Sequence, residues 1–127
     1  MASAASDLLG AGLSSLGLDP SHKPALVEYL DLLQKWNKPF NLTAVRSKRG
    51  MVIKHLLDSL SVMPNLELVR RVCDVGTGAG LPGIPLAIYL PDTHFVLLDS
   101  NGKKTRFLQQ VANQLYLKNI EVVQDRV

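Results

Sequence analysis

The chain has 127 residues, of which 46% are hydrophobic and 20% charged, a globular balance that excludes a disordered or fibrous polymer. The length suits one domain, and no apolar run approaches the ~18 residues that a membrane span needs. The net charge of +3 is unevenly placed: no acidic residue lies between Asp31 and Asp58, where Lys35, Lys38, Arg46, Lys48, Arg49 and Lys54 fall, an excess that reads either as a phosphate-attracting surface or as a solvated basic face.

In chain order, residues 6–16 read as a short helix weakened by Gly10 and Gly12. No Lys or Arg precedes Lys23, so the basic region of a secretory signal is missing. Asp19-Pro20-Ser21 is a turn that leads into a helix over 24–38, where Leu26, Leu30, Leu33 and Trp36 follow helical spacing and Val27 and Leu32 widen the stripe. Pro39 is expected to end that helix. Residues 40–48 form a polar connector with Asn41, Thr43 and Arg46, and 50–63 form a further helix with Val52, Leu56, Leu60 and Met63 on one side.

The pattern then changes. Residues 72–75 are a short strand candidate, followed by the loop Gly76-Thr77-Gly78-Ala79-Gly80 and a helix over 84–90. A second strand over 94–98 is closed by Asp99, a helix follows over 105–117, and 120–123 form a third strand. Alternating strands and helices predict parallel strands joined by crossover helices, with the strands buried on both faces. The fold class is α/β, with an N-terminal helical segment over 1–66 and a partial Rossmann-type domain over 67–127. A doubly wound sheet normally has five or more strands, so the chain is expected to be cut short at its C-terminus. The single cysteine, Cys73, has no partner for a disulfide or a metal cluster, which suits a reducing cytoplasm.

Glycines let the loop turn sharply and let a ligand approach the helix N-terminus behind it. Asp99 ends the next strand, where a carboxylate can accept hydrogen bonds from a ribose diol. Two cofactors fit: a dinucleotide and S-adenosylmethionine. The spacing is G-x-G-x-G, with Leu81 where the third glycine of the dinucleotide fingerprint would fall. Asp74 adds a carboxylate that suits a cationic sulfonium better than a pyrophosphate. S-adenosylmethionine is the favoured reading, and a dinucleotide-dependent oxidoreductase stays open beside it.

The stretch over 74–88, Asp-Val-Gly-Thr-Gly-Ala-Gly-Leu-Pro-Gly-Ile-Pro-Leu-Ala-Ile, closely resembles the signature of the RsmG (GidB) family, bacterial methyltransferases acting on guanine N7 of small-subunit (16S) ribosomal RNA. Lys35-Trp-Asn, the segment from Asn41 to Arg46, His55-Leu-Leu-Asp-Ser59, Leu97-Leu-Asp-Ser100, Lys103-Lys104 and Arg106-Phe-Leu108 are similar to that family in the same order. The resemblance spans roughly residues 20–127. It implies cofactor contacts at Gly76 and Leu81, and at Val127, where the family has a Val-Glu or Ala-Glu pair. It also implies a further helix–strand region that supplies an additional arginine at the cofactor site. Gly78 and Asp99 complete the expected cofactor set. A non-enzymatic reading, an inert or RNA-binding fragment, stays open beside it.

Guanine N7 has a lone pair and no proton, so it can attack a sulfonium methyl without a general base, and positioning carries the catalysis. No catalytic side chain is singled out and no metal is called for. The major-groove edge of an RNA helix is deep and narrow, so the target base is expected in an accessible loop. Asn41, Arg46, Lys48 and Arg49 are the candidate RNA contacts, with helix capping and turn bonding as the competing role for the first two. His55 and Asp58, three residues apart, can share a helix face; Trp36 reads as a core residue before a base-stacking one.

Overall fold

The computed structural model describes residues 4–126. Helix α1 spans Ala4–Ser15, and the Asp19 carboxylate then accepts the Ser21 N–H at 2.9 Å to set a 3₁₀ turn over Pro20–His22. Helix α2, Lys23–Phe40, runs two residues past the expected end, with Pro39 inside it. A proline in the last turn removes one helical hydrogen bond that water can replace at an exposed end. The stop comes instead from Asn41, at φ 53°, whose N–H returns to the Asn37 carbonyl at 2.9 Å.

The helix expected over 50–63 begins earlier and is not uniform. Ser47 caps α3 (Lys48–Met51) by accepting the Gly50 N–H at 3.0 Å. The chain widens into a π-helical segment over Val52–Leu57 and closes as α4, Asp58–Leu60. Among the described residues, strands β1 (Arg71–Val75), β2 (His94–Asp99) and β3 (Ile120–Gln124) form one parallel sheet in the order β1-β2-β3. Helix α5 (Gly83–Tyr89) links the first pair, and α6 (Gly102–Gln114) links the second. Asn101 caps α6 by accepting the N–H groups of Lys103 and Lys104 at 2.9 and 3.3 Å, which starts it three residues before the expected position. This is the first half of a Rossmann-type sheet, preceded by helices.

Burial is one-sided. Register places Val72, Phe95 and Ile120 together on one face, with Asp74, Leu97 and Val122 beside them. Phe95 and Leu97 are fully buried there under α5 and α6. On the other face Cys73 is exposed and Val75 is 53% exposed. The expectation of burial on both faces is therefore not met for β1, because both crossover helices cover the same side of the sheet. The core is one continuous cluster that joins Leu26, Tyr29 and Leu33 of α2 to Ile84, Phe95, Phe107 and Leu108. Trp36 packs on Phe40 and Phe107 at ring distances of 5.1 and 5.8 Å, as a core residue does. The Asn119 carboxamide donates to the carbonyls of Ala87, Leu90 and Thr93 at 3.0–3.1 Å, tying the α6–β3 connection to the end of α5.

Candidate functional site

The site grows from the C-terminal ends of β1 and β2. After Val75 the chain leaves the sheet, and the N–H groups of Gly76 and Thr77 both donate to the Leu98 carbonyl, at 2.8 and 3.1 Å. Gly76 and Gly78 have φ of +70° and +60°, conformations that glycine adopts without penalty. A Cβ at either position would meet no heavy atom within 4 Å. The loop therefore presents bare backbone to open space at these two residues, as a ligand-receiving loop must.

Two carboxylates brace the loop. Asp99 is buried; one oxygen accepts the Gly78 N–H and the other the Asn101 N–H, both at 2.9 Å. Each carboxylate oxygen has capacity for a further bond. Asp74 lies on the sheet face that carries Leu97, and its Oδ2 accepts the Thr77 hydroxyl at 2.8 Å and the Gly83 N–H at 3.0 Å. Burial pushes the Asp74 carboxyl above the usual carboxylate range; the Thr77 and Gly83 donors pull it back, and the Asp99 charge adds to the rise.

A third brace comes from the N-terminal helices. The Tyr29 hydroxyl, fully buried on α2, donates to the Ala79 carbonyl at 2.7 Å. Burial pushes that hydroxyl far above its ordinary pKa of 10.0, and Asp74 adds to the rise, so it remains a donor. Sequence reasoning missed Tyr29. Its signal was the position three residues after Leu26 and four before Leu33, inside the apolar stripe, where a polar tip needs a buried partner.

The sheet thus brings Gly76, Gly78 and Asp99 to one corner, and the half-buried Leu81 follows the loop directly. Val127 lies outside the described residues. Among the described residues no cluster of side chains could hold a metal ion.

The basic connector is organised around Asn37, which is buried and was also not singled out. Its carboxamide oxygen accepts the Thr43 N–H at 2.8 Å, and its main-chain carbonyl accepts Arg46 at 3.2 Å as well as the Asn41 N–H. Arg46 also donates to the Asn41 side chain. Asn41 and Arg46 are therefore joined at the end of α2, both exposed. Lys48 pairs with Asp31 at 2.6 Å across a solvent-exposed gap, an ion pair of little energetic weight. Arg49 is exposed, with no ion pair among the described residues. His55 does not pair with Asp58: its Nε2 lies 2.8 Å from the Thr43 hydroxyl instead. The π-helical segment changes which residues share a face, so α-helical spacing does not hold there. Burial lowers the His55 pKa, and the Lys54 charge also disfavours its protonation.

The sequence model of the GidB family, rRNA small subunit methyltransferase G, matches residues 22–127. Proteins named ribosomal RNA small subunit methyltransferase G from Salmonella paratyphi B, Salmonella newport and Salmonella typhi are each 56% identical to the chain over 120 residues, covering 94% of it. The chain spans about half the length of these curated relatives, 56% in each case. With the glycine loop, the strand order and the flanking segments all inside the matched region, the chain belongs to the GidB family.

Proposed function

We propose that the chain carries the cofactor-binding half of an S-adenosylmethionine-dependent methyltransferase acting on guanine N7 of small-subunit (16S) ribosomal RNA in the cytoplasm. The observation that carries this reading is the pair Gly76 and Gly78, left-handed and facing open space beside the ends of β1 and β2. The names of the relatives support methylation of ribosomal RNA. When bound, S-adenosylmethionine supplies a methyl group on a positively charged sulfur.

On this reading Gly76 and Gly78 leave room for the cofactor, and Leu81 gives it an apolar wall. Asp99 holds the ribose hydroxyls with its remaining lone pairs while it keeps the loop closed through Gly78. Asp74 brings negative charge to the same corner, which favours a cation over a pyrophosphate. Val127, the fifth cofactor-binding residue in this proposal, completes the set. The guanine N7 lone pair attacks without loss of a proton, so these residues orient and exclude water and need not act as a base. Residues 1–66 form the helical part that meets RNA, with Asn41, Arg46, Lys48 and Arg49 toward phosphate, and residues 67–127 form the cofactor part.

The test is calorimetric titration of the chain with S-adenosylmethionine and with NAD. Saturable binding of S-adenosylmethionine without binding of NAD is the expected result. Binding of NAD alone would remove the methyltransferase reading and restore the oxidoreductase one.

A further inference from the structure

Next to the loop lies a depression of about 220 Å³, lined by Lys54, His55 and Asp58 from one side, by Val62, and by Leu81 and Pro82 from the other. It is smaller than a drug-sized site and suits one planar base. Leu81 and Pro82 follow Gly80 directly in sequence, so this depression opens beside the loop proposed to hold the methyl donor. Two of its polar groups are free. Among the described residues, the Asp58 carboxylate accepts no hydrogen bond and joins no ion pair; only its main-chain carbonyl is used, by the Ser61 hydroxyl. Lys54, four residues earlier, is exposed and likewise unpaired. His55 between them is committed, its Nε2 held by Thr43.

A carboxylate with two free oxygens recognises two adjacent donors. Guanine presents such a pair, N1–H and N2–H₂, on its pairing edge, whereas adenine presents an acceptor beside its amino group. The guanine N7 lies on the far edge of the ring system. We infer that this depression is the pocket for the target guanine, with Asp58 as the specificity-determining residue that reads its pairing edge and Lys54 as the contact to its phosphate. The inference rests on the methyltransferase reading above and adds to it the site of the accepting base. Val62, Leu81 and Pro82 supply apolar surface against which the base packs. N7 is left on the side away from Asp58, toward the glycine loop.

The test is nuclear magnetic resonance titration of the isotope-labelled chain with guanosine, inosine and adenosine monophosphates. The guanosine nucleotide should bind at least about tenfold more tightly than the adenosine nucleotide, the scale of one bidentate base contact. Inosine monophosphate, which lacks the 2-amino group, should fall between them. Asp58→Asn, nearly isosteric, should abolish the preference while leaving the melting temperature unchanged. Lys54→Ala should weaken all three nucleotides alike and leave their order intact. Equal binding of the guanosine and adenosine nucleotides, no binding of either, or a preference retained in Asp58→Asn would overturn the inference. Titration of the same sample with S-adenosylmethionine separates the two readings: a guanine preference with no cofactor binding would keep the base pocket and remove the methyl-donor loop.

Discussion

Replacing Tyr29 with Phe removes one oxygen atom from a fully buried position and leaves the Ala79 carbonyl without the hydroxyl that donates to it at 2.7 Å. The ring still fills its space against Phe107, at a centroid distance of 6.4 Å, so the cavity contribution is small. The cost is then the loss of the hydrogen bond and the desolvation of a carbonyl that was partnered, about 1–2 kcal/mol. For a chain of this length that corresponds to a drop in melting temperature of roughly 4–10 °C. Tyr29 also titrates far above 10.0 in the folded chain. The unfolded chain loses the phenolic proton first as pH rises, so the stabilisation is present below pH 10 and declines above it. Y29F should lack that contribution to the alkaline decline. Thermal melts followed by circular dichroism, at neutral pH and above pH 10, measure both effects, and a cofactor titration reports whether the loop has loosened. A Y29F variant that melts with the parent and binds S-adenosylmethionine equally would show that α2 does not hold the loop.

The lowered His55 pKa means that, between its folded value and the ordinary 6.5, the unfolded chain binds more protons. Stability should therefore rise as pH increases through that window and level off above 6.5. The slope should be small, because the ring is only half-buried, and His55→Gln should flatten it in denaturant melts across pH 5–8, the physiological window for histidine titration; an unchanged slope would remove His55 as its source. Charge reversal at Lys48 and Arg49 should weaken RNA binding and reduce its salt slope by about one for each phosphate that is no longer neutralised. Cofactor affinity should stay constant, and unaltered RNA binding at low salt would make the stretch a solvated surface.

The α/β half was readable because each of its signals is local. Hydrophobic runs over 72–75, 94–98 and 120–123 each fall within a strand, and the glycine loop sits where strand meets helix. Asn101 was missed as the start of α6, although an Asx residue ahead of a helix is a local signal too. The N-terminal half misleads where tertiary contacts decide. Pro39 reads as a stop, yet the stop lies at Asn41, whose left-handed backbone is fixed with the Asn37 carbonyl and Arg46. Tyr29 looked like one more member of an apolar stripe, because its partner is fifty residues away. Asp99 was legible as a site residue, but not the two backbone N–H groups its oxygens hold.

The π-helical segment makes length matter independently of composition. Within Val52–Leu57 the helix holds one residue more per turn than an α-helix would. Deleting a single residue there lets the helix close in its ordinary form, and every later position turns by about 100° and slides by about 1.5 Å. Asp58 would swing away from Leu81 and Pro82, and His55 would part from Thr43, although no residue lining the depression had been replaced. Conservative exchanges at the exposed Ile53 leave this spacing alone. Shortening the segment resets the reading frame of the whole wall.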